Sequence, residues 1–260
     1  MSALNRREAL GALGTLAAAG GWIGLTAEET LAQPAGGGGS VGPAEYTLPP
    51  LPYAPDALEP HIDAQTMTLH HDKHHDAYVK GLNAALAGLD SARKGGTDAD
   101  VAKIRDLTDS LAFNGSGHML HCVFWKNMKK GGGGEPTGDV AKLIGRDFGD
   151  FARFKAHFGT LSKRVQGGGW GILAWEPLSK RMIVLGAEKH QNLTLFGCVP
   201  LLVLDVWEHA YYLDHQERRG AYVDGVVDNL LNWEFAERNF DRASGRRAGG
   251  FLESVTGHAA

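Results

Sequence analysis

Residues 129–136 read Lys-Lys-Gly-Gly-Gly-Gly-Glu-Pro. Neither a helix nor a strand accommodates this run, because four glycines bring no side chain to bury and the proline withholds a backbone donor. It therefore parts the body of the chain into two segments of different kind. On its N-terminal side, Leu69, Tyr78, Leu82, Leu86 and Leu89 recur at roughly helical spacing from residue 63 until Gly95-Gly96. A second helix is expected over 100–129, broken near Asn114-Gly-Ser-Gly117, a poor helix former. On its C-terminal side, helical stretches near 139–147 and 150–165 give way to three runs with strand character, at 171–175, 182–186 and 201–206. Pro177-Leu-Ser-Lys180 between the first two strands suggests an antiparallel hairpin, and a last helical portion is expected over 224–239.

Outside this body the texture changes. The N-terminus carries the pair Arg6-Arg7, then an uncharged stretch from Ala9 to Ala27 that five glycines dilute. This order resembles a twin-arginine export signal, and the glycines make the stretch a poor transmembrane helix. The organisation expected is an export signal over 1–33, a glycine-rich linker over 34–45, an N-terminal metal-binding domain over 46–130, a C-terminal one over 131–240 and a flexible tail over 241–260. An exported, periplasmic protein with no stable membrane anchor follows.

Composition narrows the function classes. The formal net charge of −4 offers no electrostatic footprint for nucleic acid. Two cysteines, Cys122 and Cys198, are too few for a disulfide scaffold or a four-thiolate metal site. The 36 glycines among 260 residues show no period of three, which excludes collagen.

The histidines point to chemistry. Four of the six residues 70–75 are histidine, and His70, His74 and Tyr78 share one helix face at i, i+4, i+8. A single histidine of this kind is ordinarily a satisfied core or surface residue. A second feature shifts the balance: Asp205 closes the apolar run Leu201-Leu-Val-Leu and is followed by Val-Trp-Glu-His209. A carboxylate packed at that place needs a charge partner or a metal. With His118 or His121 from the second helix, the set becomes three imidazoles and one carboxylate, suited to iron, manganese or zinc.

Asp205-Val-Trp-Glu-His-Ala-Tyr-Tyr212 resembles the signature of the iron/manganese superoxide dismutases. Four further motifs match that family in order: Tyr46-Thr-Leu-Pro-Pro-Leu-Pro-Tyr53, His70-His-Asp-Lys-His-His-Asp-Ala-Tyr78, Phe124-Trp125 and Gly167-Gly-Gly-Trp170. The resemblance, over nearly all of 46–240, implies an α+β fold, an N-terminal helical hairpin domain followed by a C-terminal α/β domain with a three-stranded antiparallel sheet. It implies one iron or manganese ion per subunit held by His70, His121, Asp205 and His209, with superoxide as substrate. It assigns Tyr78 and His74 to the channel gateway, Trp125, Trp170 and Trp207 to the pocket wall, and Lys73 and Arg218 to steering the anion. Glu208 and Tyr212 would reach a partner subunit's His209 and His74, giving a homodimer or a dimer of dimers.

Several positions depart from the family pattern. The residue expected to contact metal-bound solvent is a glutamine there; here the first of its two possible positions is Gly117 and the second is His190, or Gln191 with a shift of one. Loose discrimination between iron and manganese is expected. Leu120, Cys122 and Ile172 replace the usual Asn, Ser or Thr, and Trp, the last removing an aromatic wall. Two other readings compete: a protein that sequesters metal, zinc included, without catalysis, and a two-histidine-one-carboxylate oxygenase. The third imidazole disfavours the latter, since it fills a position such an enzyme leaves open.

Overall fold

A computed structural model describes residues 45–248, 251 and 256 of the chain. The readings made for the export signal and linker lie outside the described residues. The proline-rich lead-in is strapped down at once: Tyr46 and Asn83 exchange two hydrogen bonds, N–H to Oδ1 at 2.9 Å and Nδ2–H to the carbonyl at 2.8 Å. Helix α1 (Ala64–Leu69) is capped by Asp63, runs through a π-helical turn (His70–His75) and continues as α2 (Asp76–Gly95). Tyr78, Val79, Leu82, Ala85, Leu89 and Ala92 form its buried stripe, and Gly96 at φ +64° ends it in the left-handed cap that glycine favours.

The expected second helix is two helices, α3 (Asp98–Ala102) and α4 (Ile104–Lys126), and the break falls at Lys103 rather than near Asn114. Asn114 to Gly117 stay helical because packing overrides propensity. Climbing α2 from Tyr78 through Gly81 to Gly88, the neighbour on α4 falls from Gly117 through Asn114 to Leu107, so the two helices form an antiparallel hairpin at close approach. The helices α5 (Gly138–Phe148) and α6 (Phe151–Arg164) follow as expected.

The sheet consists of β1 (Gly169–Glu176), β2 (Arg181–Glu188) and β3 (Val199–Asp205) in the order β2-β1-β3, all antiparallel. The expected hairpin turn is held by Glu176, whose carboxylate accepts from Leu178 and Ser179 N–H, both at 2.7 Å. A register shift between Leu173 and Ala174 leaves Leu201 outside the pairing, next to Pro200, which sits opposite Ala174 and cannot donate to the ladder. Beyond β3 come a 3₁₀ turn (Glu208–Ala210), α7 (Tyr212–His215), α8 (Arg219–Asn229) and α9 (Trp233–Ala243). The single final helix expected over 224–239 is therefore two, split where Leu231 bridges to Met128 and Asn232 caps α9. Phe251 packs against the core, so the tail reading does not hold there.

The described residues all belong to one compact unit. Asn127 ties its parts together: its Oδ1 accepts Val203 N–H at 2.7 Å and its carbonyl accepts Asn232 N–H at 2.8 Å. The end of α4 is thereby locked to β3, the strand that ends in Asp205. Among the described residues no helix is long and apolar enough to cross a membrane.

Candidate metal centre

Three backbone devices converge on one point. The π turn presents His70, the buried C-terminal half of α4 presents His121, and the end of β3 with the following 3₁₀ turn presents Asp205 and His209. Asp205 sits opposite Trp170 in the β1–β3 ladder. Its Oδ1 accepts Trp207 N–H at 2.8 Å, which leaves Oδ2 facing the imidazoles. From Oδ2 the distances are 3.1 Å to His70 Nε2, 3.3 Å to His209 Nε2 and 3.5 Å to His121 Nε2. His70 Nε2 and His121 Nε2 are 2.9 Å apart. All four donor atoms lie within 4.8 Å of one another.

Electrostatics make this group incomplete without a cation. Asp205 is wholly buried and, among the described residues, has no lysine or arginine partner. Burial alone would raise its carboxyl, yet His209 and His70 beside it hold it well below the usual carboxylate range. Burial, with the neighbouring His209, pushes His70 down to about 4, and burial drives His121 well below its ordinary value. The result is an ionised carboxylate beside two imidazoles, His70 and His121, that burial keeps neutral. His121 donates its Nδ1–H to the Gly117 carbonyl at 2.6 Å, so its Nε2 offers a lone pair to the cluster. Nitrogen and hard oxygen donors at these spacings fit a first-row divalent or trivalent ion.

The surrounding rings order the pocket. His74 stacks on His209 (centroids 4.2 Å apart, planes at 19°), His209 on Trp207 (5.8 Å, 12°) and Trp207 on His190 (4.9 Å, 19°). Tyr78 stands edge-on to His190 at 4.5 Å and beside His121 at 5.1 Å. Trp125 packs edge-on to His70 at 4.8 Å and Trp170 to His121 at 5.0 Å. His190, just past β2, is at the cluster; Gln191 instead accepts the His190 backbone N–H at 3.3 Å. The Trp170 indole donates to His190 Nδ1 at 3.0 Å, and burial takes the ring down to about 4, so neutral His190 carries its proton on Nε2. That atom is buried and has no partner among the described residues.

Gly117 makes this arrangement possible. A Cβ there would lie 3.0 Å from Tyr78 and 3.3 Å from His190, so a side chain at 117 and the imidazole at 190 compete for one space. Ile172 leaves the room expected: a mostly apolar cavity of about 210 Å³ is lined by Met119, Leu120, Ile172 and His190. Lys73, Arg218 and Glu208 lie exposed outside the cluster, Arg218 donating to the His215 carbonyl at 3.1 Å. Tyr212 is also exposed.

Two groups of residues escaped the sequence reading. Phe113 packs on Tyr78 and His190, and its spacing of four and eight residues before Gly117 and His121 was the available signal. The second is a buried cluster beside the first, His75, His118 and Cys122. Trp125 donates its indole N–H to His75 Nδ1 at 3.0 Å, and His75 Nε2 lies 2.9 Å from His118 Nδ1. An indole only donates, so neutral His75 holds its proton on Nε2 and passes that hydrogen bond to His118. Cys122 Sγ sits 3.7 Å from His118 Nδ1, and burial pushes its thiol up to about 12, the behaviour of a small buried hydrophobe.

Comparison with known proteins gives two consecutive family matches. Residues 45–129 match the alpha-hairpin domain of the iron/manganese superoxide dismutases, and residues 136–239 match their C-terminal domain. A superoxide dismutase [Fe] from Pyrobaculum aerophilum is 49% identical over 201 residues, covering 76% of this chain and 93% of that one. A superoxide dismutase [Mn/Fe] from Aeropyrum pernix is 48% identical over 200 residues (76% and 92%). A superoxide dismutase [Mn] from Mycolicibacterium fortuitum is 42% identical over 206 residues (79% and 98%).

Proposed function

This chain belongs to the iron/manganese superoxide dismutase family and is an enzyme of that activity, and we propose that His70, His121, Asp205 and His209 hold its one iron or manganese ion. The observation that carries the assignment is the buried carboxylate with three imidazoles and, among the described residues, no lysine or arginine to balance it. A bound iron or manganese supplies the one-electron couple by which one superoxide becomes oxygen and a second, with two protons, becomes hydrogen peroxide; zinc has no such couple.

The chain's own residues govern access and protons. Burial, helped by the Asp205 charge, keeps the Tyr78 phenol protonated far above neutral pH, so it enters the pocket as a donor. Burial and the adjacent His209 lower the His74 imidazole, which therefore stacks on His209 as a neutral ring. His190 Nε2–H is a second buried donor, and solvent held in the site would supply the acceptor it lacks. Relatives named for iron, for manganese and for either all resemble this chain, in keeping with loose selection between the two ions.

His209 retains 12% side-chain exposure while Asp205 and His121 have none, so superoxide approaches past His209 and His74. Lys73 and Arg218 lie outside that entrance and steer the anion. Tyr212 and Leu213, about half exposed beside the site, together with Glu208 supply the surface for two-fold pairing as a homodimer. Export through a twin-arginine route rests on Arg6-Arg7 and the uncharged stretch after them. Replacing both arginines with lysine should retain the protein inside the cell, and undiminished export would remove that part of the proposal.

Metal-free protein reconstituted separately with iron and with manganese tests the centre. One ion per subunit and dismutation with each are expected. Full metallation without dismutation above the free-metal background would overturn the assignment and leave a metal-sequestering protein on this scaffold.

A further inference from the structure

The cavity of about 210 Å³ beside Ile172 has a floor, a wall and a roof. Its floor is the sheet face turned to α4, made by Ile172, Ala174 and the Leu185 that pairs with Ile172; the neighbouring Gly171 meets Ser162 of α6 on the opposite face. Met119 and Leu120 of α4 form the wall. The roof belongs to the connection 189–198, which leaves β2 opposite Gly169 and enters β3 opposite Trp175, so it crosses back along the length of β1. That crossing turns its largest side chain outward: Phe196, at the rim of the cavity, is fully exposed. His190 is the residue the cavity shares with the pocket of the metal cluster, and none of His70, His121, Asp205 and His209 lines it.

Volume and lining say what fits. An apolar cavity of about 150 Å³ already takes up benzene, so this one admits one ring or two fused rings. Ile172 stands where the family pattern has tryptophan, whose indole would occupy this room. The His190 ring, the Phe196 ring and the Met119 thioether all make favourable contacts with a flat π system. We propose that this cavity binds a neutral aromatic molecule of one or two rings, seated on Ile172 and Leu185 against His190, with Phe196 folding over it. The occupant stays off the approach past His209 and His74 and meets the centre only through His190. Its binding is read apart from dismutation, so failure of this inference leaves the metal assignment standing.

Titration calorimetry of the metal-loaded protein with indole tests this, with cyclohexanol as the aliphatic control. One saturable site per subunit is expected for indole, at least threefold tighter than for cyclohexanol. Ile172→Trp fills the cavity and should weaken indole binding at least tenfold with metal content retained. Phe196→Ala changes only an exposed side chain, so it should fold as the wild type does and weaken indole binding at least twofold. No saturable indole binding up to the limit of its solubility, cyclohexanol bound as tightly as indole, or undiminished binding by either variant would overturn the inference.

Discussion

Two clusters of buried histidine lie against each other, with His75 stacked on His121 at 5.2 Å and 19°. They are built from the same π turn and the same helix α4, and both offer ligand atoms within 4.8 Å. Their proton inventories differ. In the His75, His118 and Cys122 cluster every polar site from the Trp125 indole to His118 Nδ1 is already paired, donor to acceptor, and no carboxylate belongs to the group. In the His70, His121, Asp205 and His209 cluster an ionised carboxylate faces lone pairs. Proximity of histidines therefore does not make a metal site. What distinguishes one is a charge and a set of acceptors that the protein leaves unanswered.

Removing the charge should have the largest effect. Asp205→Asn keeps the shape and deletes the anion, so metal content should fall well below one per subunit and dismutation should drop to the free-metal background.

Acid probes the other cluster with a smaller effect. Burial, and then the proximity of His118, hold His75 down to about 2, against an ordinary value near 6.5. Between those two values the unfolded chain binds a proton that the folded chain refuses. Stability contributed by this group therefore falls as pH falls, by about 1.4 kcal/mol per pH unit. His75→Gln should flatten the acid slope of the metal-free protein by that amount between pH 6 and 5. Parallel slopes would show that His75 takes up its proton in the folded state.

Much of this was legible in the sequence and some was not, for physical reasons. His70, His121, Asp205 and His209 lie in motifs whose order and spacing survive folding, and the sheet and the glycine-rich joint carry strong local signals. The π turn does not, because it inserts a wider turn into an otherwise periodic helix; His75, placed by spacing in a stripe with His71, is fully buried against Trp125. Helix breaks failed in both directions: Asn114 to Gly117 remain helical under packing from α2, whereas a cap at Asn232 splits the last helix. The state of His190 was out of reach, since an imidazole that titrates in isolation is fixed as a neutral donor by Trp170, twenty residues away across the hairpin.

The smallest effect tests the comparison most directly. Cys122→Ser exchanges a small buried hydrophobe for a hydroxyl, which needs an acceptor. One is available in the helix itself, since a serine there can donate to the carbonyl four residues back, as Ser162 does to Phe158 at 2.8 Å in α6. The stability change should therefore stay within about 1 kcal/mol, the net scale of a satisfied hydrogen bond. A chain in which His75 already spends its only proton on His118 gains no ligand from the thiol. Zinc challenge of the iron-loaded or manganese-loaded protein should accordingly give the same stoichiometry for wild type and Cys122→Ser. If wild type instead takes up an additional zinc that the variant loses, the second cluster is a thiolate site. The difference between the two clusters would then lie in which metal each prefers, and no longer in whether each needs one.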